Sequence, residues 1–128
     1  DAIVSIWGDG SPTRDFLYVR DCAEAIVRAT ESYDGAEPVN LGTGVETSIR
    51  DLADYVARAV GYCGRIGWDV NRPNGQPRRV LDTSRARAAF GWTAETNLLI
   101  GLAETVRWYL ESREPRVQSP EQEARGKT

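Results

Sequence analysis

At 128 residues the chain is long enough to close one core and too short for two ordinary domains. Hydrophobic residues at 41% and charged residues at 27% are ordinary for a soluble globular protein, while a net charge of −3 and a pI near 5.0 exclude the basic balance of a general nucleic-acid binder. No apolar run reaches membrane-spanning length and the first residues carry no signal-peptide pattern, so no membrane partner is expected and the expected location is cytoplasmic.

In chain order, Ala2-Ile3-Val4-Ser5-Ile6 reads as a strand. It starts directly after Asp1, and the sequence has no methionine, so the chain is expected to be a piece of something longer. Gly8-Asp9-Gly10-Ser11-Pro12 is a tight turn, since glycine accepts positive φ and proline presets φ near −65°. Phe16-Leu17-Tyr18-Val19 has strand propensity, which places Arg14 at a turn-to-strand junction. Asp21, with Glu24 three residues on, predicts a capped helix whose apolar face is Cys22, Ile26 and Ala29. Residues 38–41 predict a short buried strand, and Gly42-Thr43-Gly44 turns the chain into a helix capped by Ser48, with Ile49, Leu52, Ala53, Val56 and Val60 inward and Gly61 just past its end. The alternation over residues 65–70 predicts a half-exposed strand with Ile66, Trp68 and Val70 on one face. A second turn, residues 71–77, delivers Arg78 and Arg79 onto a strand at Val80-Leu81. Asp82-Thr83-Ser84 then caps a short helix that Gly91 stops, and Asn97 caps a last helix with Leu98, Leu102, Val106 and Tyr109 or Leu110 as its stripe. Residues 112–128 are charged or small and predict a disordered tail, leaving residues 1–111 as the folded domain.

The chemistry this sequence can offer is narrow. It has no histidine, the commonest general base and zinc ligand, and Cys22 and Cys63 lack metal-ligand or redox spacing, so both read as buried small apolar residues. Gly42-Thr43-Gly44 is half of a dinucleotide fingerprint, but Thr47 stands where the third glycine belongs and no acidic residue follows at the usual separation. What remains is a pair of arginine loops. Arg14 and Arg78-Arg79 each sit between a Gly/Pro turn and an apolar strand, where a guanidinium could be fixed to fork onto a phosphate or carboxylate. On the residues alone, Arg14 could equally pair with Asp9 or Asp15, and Arg78 and Arg79 could merely solvate their loop.

The wording of these stretches is specific. Trp7-Gly8-Asp9-Gly10 running to Arg14-Asp15-Phe16-Leu17-Tyr18-Val19-Arg20-Asp21, then Val39-Asn40-Leu41-Gly42-Thr43-Gly44, Ser48-Ile49-Arg50-Asp51-Leu52, Pro73-Asn74-Gly75-Gln76-Pro77-Arg78-Arg79-Val80-Leu81-Asp82 and Phe90-Gly91-Trp92 resemble, in order, the C-terminal substrate-binding part of extended short-chain dehydrogenase/reductases that act on nucleotide sugars. The run around Pro73 is most similar to the GDP-L-fucose synthase branch, and Arg20 departs from the family's usual acidic residue. The resemblance implies an α/β fold, Rossmann-type in the intact protein, with short strands and about four helices. It implies substrate binding by Trp7 beside the nucleotide and by Arg14, Arg79 and Arg78 at the diphosphate, a nucleotide sugar as ligand, and an N-terminal Rossmann domain as the missing partner that would hold NADP or NAD. This chain alone is expected to bind no such cofactor. The family's catalytic Tyr-x-x-x-Lys pair is absent, because the only lysine is Lys127, so no catalytic residue is assigned. Two other classes stay open: a stand-alone nucleotide or anion-binding module, or a non-catalytic interaction domain reusing the fold. Strands cut off from a neighbouring domain also lead us to expect a homo-oligomer.

Overall fold

The computed structural model describes residues 3–113. Nine elements follow one another: β1 (Ile3–Trp7), β2 (Thr13–Arg14), α1 (Val19–Ser32), β3 (Thr47–Ser48), α2 (Ile49–Ala59), β4 (Arg65–Asp69), β5 (Arg78–Arg79), α3 (Ser84–Phe90) and α4 (Leu98–Arg113). They form two small sheets. In one, β1 and β4 run parallel, with Ile3 opposite Arg65 and Trp7 opposite Asp69. In the other, β2 lies between β3, to which it is antiparallel, and β5, to which it is parallel.

Local chemistry explains most boundaries. Ser48 Oγ accepts the Asp51 N–H and opens α2, as the capping pattern predicts. Gly91, left-handed at φ 66°, closes α3 and sends Trp92 back into the core, where it is 1% exposed. Asn97 Oδ1 accepts the Ile100 N–H at the start of α4. Trp92, Ala25 and Ala86 are the fully buried apolar residues among those described, and Leu17, Val39, Leu41, Phe90 and Ala94 pack on them.

Several expectations are corrected. Residues 16–18 and 38–41 form no strand, because neither stretch finds a pairing partner; strand propensity without a ladder leaves extended backbone. Residues 38–41 are also not wholly buried as expected: Val39 and Leu41 are half-buried against the core, whereas Pro38 and Asn40 are exposed. The strand expected at Val80-Leu81 falls two residues earlier, at Arg78–Arg79, because those are the residues that pair with β2. Helix α1 begins at Val19 with Tyr18 as its N-cap and no side-chain cap. Asp21 is therefore inside the first turn, and the face α1 buries carries Asp21 and Ala25 while Ile26 stays 54% exposed. Cys63 is exposed and Cys22 half-buried, so neither is a core residue. Val70 and the last apolar residues of the α4 stripe, Tyr109 and Leu110, are also exposed. Helix α4 continues through residues 112 and 113, and the rest of the expected tail, residues 114–128, lies outside the described residues. Among the described residues, no helix is long and apolar enough to cross a membrane.

Candidate functional site

The site is built on the shortest strands in the molecule. Parallel pairing of β2 with β5 sets Thr13 opposite Arg78 and Arg14 opposite Arg79. Side chains alternate across a sheet and register partners share a face, so Arg14 and Arg79 project from one side and Thr13 and Arg78 from the other. Adjacent strands lie about 4.8 Å apart. Two arginine stems are thus planted side by side on one face of the sheet.

Hydrogen bonds from two turns fix this pairing. Thr13 N–H donates to Pro77 O at 3.0 Å, and Arg14 Nη1 donates to Gln76 O and to Thr13 O, each at 2.7 Å. Asp9 N–H donates to Asn74 Oδ1 at 2.8 Å, joining the turn before β2 to the turn before β5. Gly8 has to be glycine at that junction: its φ is 85°, and a Cβ there would lie 2.1 Å from Asn74 Oδ1. The Arg14 Nη1 hydrogens are spent on carbonyls, and among the described residues Nε and Nη2 meet no partner.

The surface pairings that the sequence left open for Arg14 do not form. Asp9 accepts the Ser11 N–H, and hydrogen bonding with Ser11 holds its carboxyl below the usual range. Asp15 accepts from Thr43 N–H at 2.9 Å, Thr43 Oγ1 at 2.6 Å and Gly44 N–H at 2.9 Å. Arg79, exposed on β5, makes no ion pair among the described residues. Arg78 is different: it pairs with Glu46 on the opposite face, and that bond, with Thr13 Oγ1 donating to the other carboxylate oxygen at 3.1 Å, keeps Glu46 ionised below the usual carboxylate range.

Trp7 stands on the other sheet, at the C-terminal end of β1. It is 64% exposed, and the Arg72 guanidinium carbon lies 5.1 Å from its ring centroid. The structure thus brings Arg14 and Arg79 together, turns Arg78 away from them, and connects Trp7 to them through the turn after β1. Glu46, Asn74 and Asp15 were missed in the sequence, because an acceptor that bonds across 28 to 65 positions leaves no local pattern.

Comparison with known proteins bears on the same residues. Residues 3–42 match the NAD dependent epimerase/dehydratase family. GDP-L-fucose synthase 1 of Arabidopsis thaliana is 46% identical over 109 residues, which is 85% of this chain and 33% of the relative. The chain is similar to the NAD dependent epimerase/dehydratase family. Solved members have its fold: a UDP-glucose 4-epimerase of Thermotoga maritima, solved with UDP-glucose, superposes with a TM-score of 0.78 at 31% identity over 87% of this chain and 36% of that one. A GDP-L-fucose synthetase of Naegleria fowleri, bound to NADP, does so with a TM-score of 0.77 at 27% identity over 88% and 36%. The chain is a mixed α/β protein with short strands, similar in fold to Rossmann-type epimerases and reductases of the extended short-chain dehydrogenase/reductase class, and it spans about a third of the length of the curated relatives it matches.

The family name implies a nicotinamide dinucleotide, and the glycine turn at residues 42–44 does not fit its pyrophosphate. A dinucleotide pyrophosphate needs free backbone N–H groups at a glycine turn. In the 42–44 turn, Thr43 N–H and Gly44 N–H are already taken by the Asp15 carboxylate, and a Cβ at Gly42 would meet Asp15 Oδ2 at 2.7 Å. That turn is closed by the chain's own anion.

Proposed function

We propose that this chain is the substrate-binding part of an NAD(P)-dependent nucleotide-sugar epimerase/reductase, and that Arg14 and Arg79 hold the substrate's diphosphate. The observation that supports the reading is the register of β2 and β5, in which Arg14 and Arg79 are partners on one face. Parallel N–H donors from two arginines match the oxygens of a diphosphate and neutralise its charge. Arg78, spent on Glu46, contributes by supporting the strand from behind. The exposed indole of Trp7 offers a stacking surface for the nucleobase.

Relatives named GDP-L-fucose synthase support a GDP-sugar as the ligand. The share of catalysis proposed for this part is orientation: binding energy on the diphosphate places the sugar before a reaction centre that another part of the intact enzyme supplies, together with NADP or NAD. The partner in that reading is an N-terminal Rossmann domain.

Calorimetric titration with GDP tests it. A charge-assisted hydrogen bond is worth roughly 1.5–3 kcal/mol, so Arg14→Ala is expected to weaken binding at least about tenfold. Equal affinity in the parent chain and the variant would refute the role.

A further inference from the structure

β2 and β5 meet over only two residues each, and they plant two cations beside one another on the ligand face. Two cations rooted opposite one another on adjacent strands repel, and so short a ladder resists poorly. What spans the ladder lies underneath. Glu46, in the segment leading into β3, uses one carboxylate oxygen to accept from Thr13 Oγ1 on β2 and the other to accept from Arg78 on β5. Thr13 and Arg78 are register partners, one step from Arg14 and Arg79. β3, which follows Glu46 directly, is itself paired to β2. The carboxylate therefore closes a strap across all three strands on the face opposite the arginine pair.

We infer that Glu46 is a positioning residue that sets the spacing of Arg14 and Arg79 for the diphosphate by strapping β2 to β5 from behind. The inference rests on the reading of that pair as the diphosphate site. It runs against simple electrostatics, which gives it a distinctive signature. Glu46 is an anion near an anion site, so by charge alone its removal should tighten diphosphate binding; by the strap, its removal weakens it.

The experiment measures GDP and inorganic pyrophosphate affinity of the 128-residue chain by calorimetry, for the parent, Glu46→Ala, Glu46→Gln and Thr13→Val. The loss of the bridge predicts affinity for both ligands about three- to tenfold weaker in Glu46→Ala. Glu46→Gln, which keeps an acceptor oxygen without the charge, is expected to fall between Glu46→Ala and the parent. Thr13→Val removes one arm of the strap and leaves all charges in place, so it reads the effect even if Glu46→Ala does not fold. Unchanged or tighter binding in Glu46→Ala, or in Thr13→Val where the first variant is unfolded, overturns the strap while leaving the arginine site standing. A parent chain that binds neither GDP nor pyrophosphate overturns the site reading and the strap with it.

Discussion

Asp21, in the first turn of α1, anchors a loop 75 positions away: its carboxylate accepts Thr96 Oγ1 at 2.7 Å, Thr96 N–H at 2.8 Å and Glu95 N–H at 3.0 Å. The group is 8% exposed, and all three donors converge on it from the segment before α4. Burial pushes its pKa up, but the bonds from Thr96 and Glu95 together outweigh burial and hold the carboxyl below the usual carboxylate range.

This contact has a stability sign that can be measured. A carboxyl whose folded pKa lies below its unfolded value, about 3.9, binds fewer protons folded than unfolded. Its stabilisation is therefore complete above the unfolded pKa and is lost as pH falls through the folded one. Asp21→Asn keeps the shape, removes the charge and one acceptor, and is expected to cost about 1–3 kcal/mol near neutral pH. Urea unfolding compared at pH 7 and at about pH 3 should show the gap between parent and variant shrinking in acid. Asp9, Glu46 and Asp82 are shifted in the same direction, so the gap between the two proteins, and not the parent's curve alone, carries the test. A gap that stays constant down to that pH would remove the charge from the explanation.

Gly8 predicts a second effect, on the site and on stability together. Alanine there would sit at positive φ and drive a methyl into Asn74 Oδ1, separating the turn that precedes β2 from the turn that precedes β5. Gly8→Ala is expected to destabilise the chain by about 1–3 kcal/mol and to weaken GDP binding, whereas an exposed substitution such as Glu31→Ala should change neither. Thermal unfolding and calorimetry on the same samples check both halves. A Gly8→Ala chain as stable and as tight as the parent would mean that the turns are not coupled.

Exposed apolar surface predicts self-association. A two-stranded parallel sheet is rarely found uncovered, yet β1 leaves Ile3 57% and Val4 47% exposed. A second copy can cover such a surface, and light scattering over a concentration series is expected to show mass rising above the 14.2 kDa monomer. Val4→Asp should move that rise to higher concentration. A mass fixed at the monomer, with a cooperative thermal transition, would show that the chain needs no partner to close.

What could be read from residues alone was whatever is decided within a few positions. Ser48 and Asp51 announce a helix start, Gly91 and Trp92 a stop and a return to the core, and alternation over residues 65–70 a strand, which the structure shows over 65–69; each is set by neighbours in sequence. The arginine loops were legible for the same reason, since turn chemistry is local. Pairing is not local. Propensity placed strands at residues 16–19 and 38–41, which find no partner among the described residues, and missed Thr13–Arg14 and Arg78–Arg79, which are strands only because each finds the other. The periodicity of α1 pointed to Ile26 as core, but burial followed Ala25 and the Asp21 carboxylate, whose donors arrive from a distant loop. The division of labour between Arg78 and Arg79 likewise had no sequence signature. Two adjacent arginines are equivalent on paper, and only the alternation of a paired strand, with Glu46 on one side and Arg14 on the other, ties Arg78 to the Glu46 carboxylate and sets Arg79 on the face of Arg14.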